Sequence, residues 1–314
     1  MGAARRSALR LAQQAGLGEA DAGRAALVAT ELATNLLKHA GGGALHLQPV
    51  PGVGGQGLEI ISVDRGPGFC IQQCLADGYS SRGTQGIGLG ALLRQSQVFD
   101  AYSDSTGSVV MARIYGPEIR DLRVGASYHA MSGQPHSGDA WHLAIEAHNV
   151  AALVVDGLGH GREAAEAAGR AVQAFAGSPA RDPVGQLQEM HSALAGTRGG
   201  AAAIALFNRV GQSLRFAGIG NVGARVVGPG QTRGLASMPG IVGVQLRRPQ
   251  SFDQAIVAGQ FLVMFTDGIQ SRWDLSVYPG IFSRHPAVIA AVLHRDFCRG
   301  RDDATVMVIA LGEM

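Results

Sequence analysis

Residues 153–172 read LVVDGLGHGREAAEAAGRAV. Leu153, Val154 and Val155 run into Asp156. Gly157, Gly159 and Gly161 follow, with His160 among them, and then an alanine-rich segment of helical spacing. The pattern predicts a buried strand that ends on a carboxylate and passes, through a loop almost bare of side chains, into a helix. Glycines crowded at a strand end signal close approach to the backbone. Whatever approaches must find its other contacts elsewhere in the chain.

Three further stretches place acids in the same setting. HSGDAWHLAI carries Asp139 at the start of a strand, FLVMFTDGIQS ends an apolar strand on Asp267, and GRDDATVMVIA sets Asp302 and Asp303 before the last strand. A single Asp-Gly is ordinarily a turn. Repeated strand-end carboxylates are better explained as the scattered ligands of paired divalent ions.

This pattern, GD…VVDGLGHG…TDG…DDAT, resembles the metal-dependent serine/threonine phosphatases of the protein phosphatase 2C class, in their bacterial SpoIIE and RsbX branch. DGLGHG and GIGNVG are similar to RsbX in particular. The resemblance runs from about Val124 to the C-terminus and implies a β-sandwich flanked by helices, with two Mn²⁺ or Mg²⁺ ions between the sheets. Asp156 would bridge the ions, and the Gly157 carbonyl would reach one of them, the glycine letting the main chain serve as a ligand. Asp267 and Asp302 would complete one shell, and Asp139 would lie near the other ion. Activated water would attack phosphoserine in line, without a covalent protein nucleophile. Many relatives carry a second acid three residues after the early Asp, where this chain has His142. His160 reads either as a proton donor or as a hydrogen-bonded loop residue. Asn221 reads as a turn residue, and Trp141 and Trp273 as packing.

Ahead of this region the pattern changes. The apolar spacing of Leu27, Val28, Leu32, Leu36 and Leu37 predicts a helix over Ala22–His39, stopped by Gly41, Gly42 and Gly43. Strands are predicted at Ala44–Pro49, Leu58–Val63, Val98–Tyr102 and Ser108–Tyr115. The opening MGAARRSALRLAQQAG lacks the apolar core of a secretory signal and reads as an amphipathic helix. GPEIRDLRVG reads as a linker or a new first strand, so the boundary falls near Gly116, with domains at 1–116 and 124–314. Beyond it, strands are predicted at Trp141–Ala147, Ala151–Val155, Ala201–Asn208, Leu214–Ala217, Ala224–Val227, Phe261–Phe265 and Ala304–Ala310. Helices are predicted at Arg162–Ala176, Val184–Leu194 and Pro286–Phe297.

Three motifs in the first part carry chemistry. Glu31 and Asn35 share a helix face, where an amide oxygen can ligate Mg²⁺ and a carboxylate can take a proton. On that pair alone, a solvated polar face is the simpler reading. IISVDRGPGF ends a strand on Asp64 before Gly66 and Gly68, which reads as a capped turn or as an acceptor for an amino group. SSRGTQGIGLGALLRQ places Gly86, Gly88 and Gly90 at a helix start, a weak phosphate-cradling signal taken alone. In this order the three together resemble the histidine-kinase/gyrase/MutL ATP-binding fold. ELATNLLKHAGGG and GIGLGALLRQSQVFDAYS are similar to the anti-sigma serine kinases of the RsbT and RsbW type. The resemblance covers about Ala8 to Tyr115. It implies an α/β sandwich that binds ATP and Mg²⁺, with Glu31 as base, Asn35 on the metal, Asp64, Gly66 and Gly68 at the adenine, and the later glycines in the lid. The family usually begins with a strand before its first helix, and here the chain opens almost directly into the helix. That leaves a dimer built on this sheet edge, and homo-oligomers generally, open.

The whole is thus expected to be α+β in two domains. The 314 residues, 46% hydrophobic and 16% charged, can bury two cores. A net charge of +2 argues against a large nucleic-acid footprint, and no apolar run is long enough for a membrane span. Cys70, Cys74 and Cys298 form no even disulfide framework and read as thiols of a reducing cytoplasm. Joined, the resemblances imply a bacterial partner-switching regulator of sigma-factor control that phosphorylates and dephosphorylates Ser or Thr on STAS-domain proteins. The alternative is a phosphatase whose N-terminal half binds a partner in an ATP-dependent way without phosphorylating it.

Overall fold

The computed structural model describes residues 1–75, 88–131, 133–146, 148–178 and 182–312. The chain divides into two units, Met1–Leu122 and Arg123–Met314.

In the first unit, α1 (Gly2–Gln14) and α2 (Glu19–His39) are separated by a turn at Gly16, whose φ of +77° suits glycine. Glu19 and Asp21 sit in the first turn of α2 and Lys38 and His39 in its last, each matching the helix dipole. Strands β1 (Ala44–Val53) and β2 (Gly55–Val63) form a hairpin. Helices α3 (Ile71–Leu75) and α4 (Leu89–Gln95) lead to β3 (Val98–Asp104), β4 (Gly107–Ile114) and the two-residue β5 (Arg120–Asp121). The sheet is antiparallel, in the order β3-β4-β2-β1-β5. Leu58, Ile60, Ala112 and Ile114 share one face and pack with Ala8 and Ala12 of α1 and with Val28 and Leu32 of α2. On the alternate face, Glu59 stands opposite Arg113.

The first unit extends past Gly116. Arg120–Asp121 pairs with Gly52–Val53 at the edge of β1. Arg113 Nη1 reaches Asp121 at 2.7 Å and the Leu122 carbonyl at 2.9 Å. Part of the segment read as a linker is therefore the last strand of the first sheet, held by a buried guanidinium.

The second unit holds two five-stranded sheets. One has the order β13-β10-β9-β8-β7 and is built from β7 (Asp139–Glu146), β8 (Asn149–Gly157), β9 (Gly200–Asn208), β10 (Ser213–Ile219) and β13 (Phe252–Ala255). The other has the order β12-β11-β14-β15-β6, from β6 (Val124–His129), β11 (Gly223–Gly228), β12 (Gln231–Leu235), β14 (Gln260–Phe265) and β15 (Ala304–Leu311). Helix α5 (Arg162–Ala176) lays Ala164, Ala167, Ala168, Ala171 and Phe175 on the first sheet. Helix α6 (Pro183–Ala193) packs beside it, its N-terminus capped by Asp182. Helix α7 (Pro286–Phe297) covers β6 and β15 of the other sheet. The near-continuous burial of β8, β9 and β15 is that of strands covered on both faces.

Among the elements sequence patterning did not identify are β6, β12 and β13. VGASYH offers little apolar periodicity, and QTRGL and FDQA are largely exposed edge strands. No helix among the described residues is long and apolar enough to cross a membrane.

Candidate functional site

The second unit gathers its strand-end acids at one end of the sandwich. Asp139 opens β7 and Asp156 lies one residue from the end of β8, and the two are direct cross-strand partners. Asp267 follows β14 and Asp302 precedes β15, so the other sheet supplies its own pair. The sheets are tied at this point by the Thr266 hydroxyl, which donates to Asp139 Oδ2 at 2.7 Å and accepts the Thr305 N–H at 3.0 Å.

Each acid is fixed differently. Asp139 is buried, Asp156 half-buried, and Asp267 exposed. Asn221 Nδ2 donates to Asp267 Oδ2 at 2.6 Å. Asp302 Oδ1 accepts the Asp303 N–H at 2.9 Å. The Asp303 carboxylate is turned away, accepting the N–H groups of Met131 and Gly138 at 2.6 Å each. Asp303 thereby anchors the loop before β7, and Gly138 in turn accepts the Gly157 N–H at 2.9 Å.

Crowding of like charge governs the electrostatics. Desolvation, reinforced by Asp139, Asp267, Asp302 and Asp303, pushes the Asp156 carboxyl up to about 8. Burial raises Asp139 to about 7, against the opposing hydrogen bond from Thr266. Burial also raises Asp302, while His160 acts in the opposite direction. Among the described residues, no three His, Cys, Asp or Glu side chains stand at metal-holding spacing. Thr266, Asn221 and the Asp303 amide engage oxygens of Asp139, Asp267 and Asp302.

Gly157 has a packing reason the sequence did not disclose. A Cβ there would lie 2.3 Å from the Ala164 carbonyl oxygen of α5 and 3.0 Å from that of Gly138. His142 is half-buried, its ring edge-on to Phe175 with centroids 5.8 Å apart, and burial lowers its pKa. Trp273 is buried edge-on to Phe265, under the Arg225 guanidinium. Asn221 occupies the turn between β10 and β11, as its sequence setting suggested, and also holds Asp267.

In the first unit, Glu31 and Asn35 are half-buried on α2, and neither bonds to another described side chain or backbone group. Asp64 follows β2. Its Oδ1 accepts the N–H groups of Gly66 at 2.8 Å and Ser108 at 3.2 Å, leaving Oδ2 available. Gly66 lies against Ala40 at the end of α2, where a Cβ would be 3.0 Å from the Ala40 Cα. Gly68, at φ +72°, touches the Asp104 carbonyl. Gly88 caps α4 and Gly90 is buried in its first turn. Gly86 lies outside the described residues.

The family model and the curated relative match different parts of the chain. The stage II sporulation protein E family model matches residues 146–311. The serine/threonine-protein kinase RsbT of Bacillus subtilis (strain 168) is 35% identical over 102 residues, which is 32% of this chain and 77% of RsbT. A solved chain described with the bacterial stressosome, a modular system adapted to control secondary messenger signalling, is 26% identical with a TM-score of 0.56, over 60% of this chain and 99% of its own. The phosphatase domain of SpoIIE from Bacillus subtilis superposes with a TM-score of 0.52 at 18% identity, over 81% of this chain and 79% of that one. RsbX, solved in complex with magnesium, gives 0.51 at 19% identity, over 59% and 93%. The two sheets with their outer helices are thus a phosphatase 2C-type fold, and the chain belongs to the stage II sporulation protein E family, joined to an N-terminal relative of the RsbT serine kinase.

Proposed function

We propose that the chain is a partner-switching regulator whose C-terminal unit hydrolyses phosphoserine or phosphothreonine on STAS-domain proteins and whose N-terminal unit phosphorylates such proteins from ATP. The observation that carries the phosphatase reading is the convergence of four strand-end acids, Asp139 and Asp156 as direct cross-strand partners in one sheet and Asp267 and Asp302 at the ends of β14 and β15 in the other. Acids gathered in this way, two of them with pKa values raised chiefly by burial, suit cations. An all-oxygen donor set suits hard ions such as Mn²⁺ or Mg²⁺.

Asp156, with the Gly157 carbonyl beside it, would help hold the ions. Asp139, Asp267 and Asp302 are candidates for the remaining positions, after rotation away from Thr266, Asn221 and the Asp303 amide. When bound, the ion pair supplies an activated water and polarises the phosphoryl group. The protein's own part is to hold the carboxylates in register across two sheets. Asp303, with both its oxygens occupied by backbone N–H groups, serves the loop and not the ions.

In the N-terminal unit, Glu31 would take the proton of the attacking hydroxyl, and the Asn35 amide oxygen one turn later would face Mg²⁺. Asp64 Oδ2 would accept the adenine amino group. Gly66, Gly68 and the Gly88–Gly90 helix start would admit the nucleotide closely. The placement of Glu31 and Asn35, half-buried one turn apart on α2, supports this reading. The near-balanced net charge of +2 favours a protein partner over nucleic acid.

The test is incubation of the full chain with labelled ATP, Mg²⁺, Mn²⁺ and STAS-domain proteins from its genomic neighbourhood, beside Asp156→Asn and Glu31→Ala. Label that accumulates only in Asp156→Asn means that both units act on one residue. Loss of labelling in Glu31→Ala, with partner binding kept, supports the kinase. Failure of wild type to remove phosphate from a pre-phosphorylated partner overturns the phosphatase reading.

A further inference from the structure

The loop after α6 runs beside the loop after β8. Gly157 pairs with Gly200, and the Leu158 N–H donates to the Gly199 carbonyl at 2.9 Å. Thr197 stiffens this loop, its hydroxyl donating to the Leu194 carbonyl at 2.7 Å and accepting the Gly199 N–H at 3.0 Å. Arg198 therefore projects from a fixed turn beside the loop that follows Asp156. Its guanidinium lies against Gly159, where a Cβ would stand 3.0 Å from Nη1. Nη2 is ion-paired with Glu163 in the first turn of α5. The side chain is 49% exposed, and its remaining N–H groups meet no other partner among the described residues. An Arg has five donors in a planar fork suited to phosphate oxygens, so most of that capacity is unspent.

Two large apolar side chains flank the same spot. Leu158 is 50% and Val244 59% exposed. Val244 Cγ2 lies 3.0 Å from where a Cβ on Gly199 would be. Exposed Leu or Val alone needs no explanation, but here Leu158 precedes the Gly159 against which the guanidinium lies, and Val244 meets Gly199, the residue after Arg198.

We propose that Arg198 holds the non-bridging phosphate oxygens of the substrate, positioned by Glu163, and that Leu158 and Val244 seat apolar residues flanking the phosphorylated side chain of a protein. The inference rests on the phosphatase reading above and names the part of the site that recognises substrate. Charge decides the occupant: a phosphate dianion entering among carboxylates needs a fixed positive partner. The apolar lips then favour a phosphoprotein over a small phosphate ester.

The experiment uses the full chain with Mn²⁺. Inorganic phosphate binding is measured by calorimetry, and turnover is compared on p-nitrophenyl phosphate and on a phosphorylated STAS-domain protein. Arg198→Met is expected to weaken phosphate binding about tenfold or more, with Mn²⁺ affinity unchanged, and Arg198→Lys to recover part of it. Leu158→Ala with Val244→Ala is expected to lower kcat/KM on the phosphoprotein about tenfold more than on the small ester. Wild-type phosphate affinity in Arg198→Met, or equal loss on both substrates in the apolar double variant, overturns the proposal. Calorimetry needs no turnover, so that result is distinct from a wild type that hydrolyses neither substrate, which instead overturns the phosphatase reading.

Discussion

Asp139 and Asp156 face each other directly across the β7–β8 pair, both held well above the ordinary carboxylate pKa of 3.8. Each keeps its proton in the folded protein at pH values where the unfolded chain has lost it. Folding therefore takes up protons, and stability falls as pH rises between the unfolded and folded pKa values. In EDTA, the melting temperature should fall steadily from pH 5 to pH 8 and level off above it. Asp156→Asn should flatten that profile, and Mn²⁺ should reverse the loss in wild type. A metal-free melting temperature that climbs over the same range contradicts the raised pKa values of this pair.

Thr266 bridges the sheets with one hydroxyl. It is fully buried, donating to Asp139 and accepting from Thr305. Thr266→Val keeps the shape and removes both bonds, leaving a buried N–H and a carboxyl oxygen unpaired. Each such orphan costs about 1–3 kcal/mol. Denaturant melts should show a loss in that range, with weaker Mn²⁺ binding, and Thr266→Ser should retain most of both. Equal stability of the Val variant would mean that the hydroxyl is not the tie between the sheets.

Asp156 and Asp267 were legible because local context marks them, an apolar run, then Asp, then Gly, and Asp139 and Asp302 because each stands at or just before the start of an apolar strand. Their supports were not. Thr266 and Asn221 bond to residues 127 and 46 positions away, and nothing near them in sequence announces it. Asp303 neighbours a candidate ligand and has the same chemistry, but its carboxylate turns to the loop before β7. Strands β12 and β13 escaped notice because edge strands need no buried face, and patterning reads burial. The short edge strand at Arg120–Asp121 was hidden for a related reason. Arg120–Asp121 looks like a polar linker until Arg113, buried in β4, is seen to bind it.

Gly157→Ala separates packing from ligation. The added methyl would meet the Ala164 carbonyl of α5 at 2.3 Å, backbone that cannot swing aside. Overpacking of this kind costs about 1–3 kcal/mol. Because α5 begins at the end of the glycine loop, the strain should also displace Gly157 itself. The expected outcome is a lower melting temperature together with weaker Mn²⁺ binding. A variant that melts as wild type and binds the ion equally well would remove the packing argument.

Arg113 offers the sharpest test in the first unit. It is 2% exposed and its fork grips Glu59 Oε2 through Nε at 2.8 Å and Nη2 at 2.6 Å, while Nη1 holds Asp121. Glu59 is fully buried, and its other oxygen accepts from Gln48 Nε2 at 2.7 Å. Removing the guanidinium alone strands a buried carboxylate, a loss of about 3–5 kcal/mol. Arg113→Met should therefore strongly destabilise the first unit and free Arg120–Asp121, seen as faster amide exchange there and at Gly52–Val53. Glu59→Met in the same chain removes the stranded charge and should recover much of the stability. It should not restore protection at β5, because Asp121 and the Leu122 carbonyl would still lack the guanidinium. A double variant no more stable than Arg113→Met would show that the buried pair stabilises the sheet by more than its own desolvation costs.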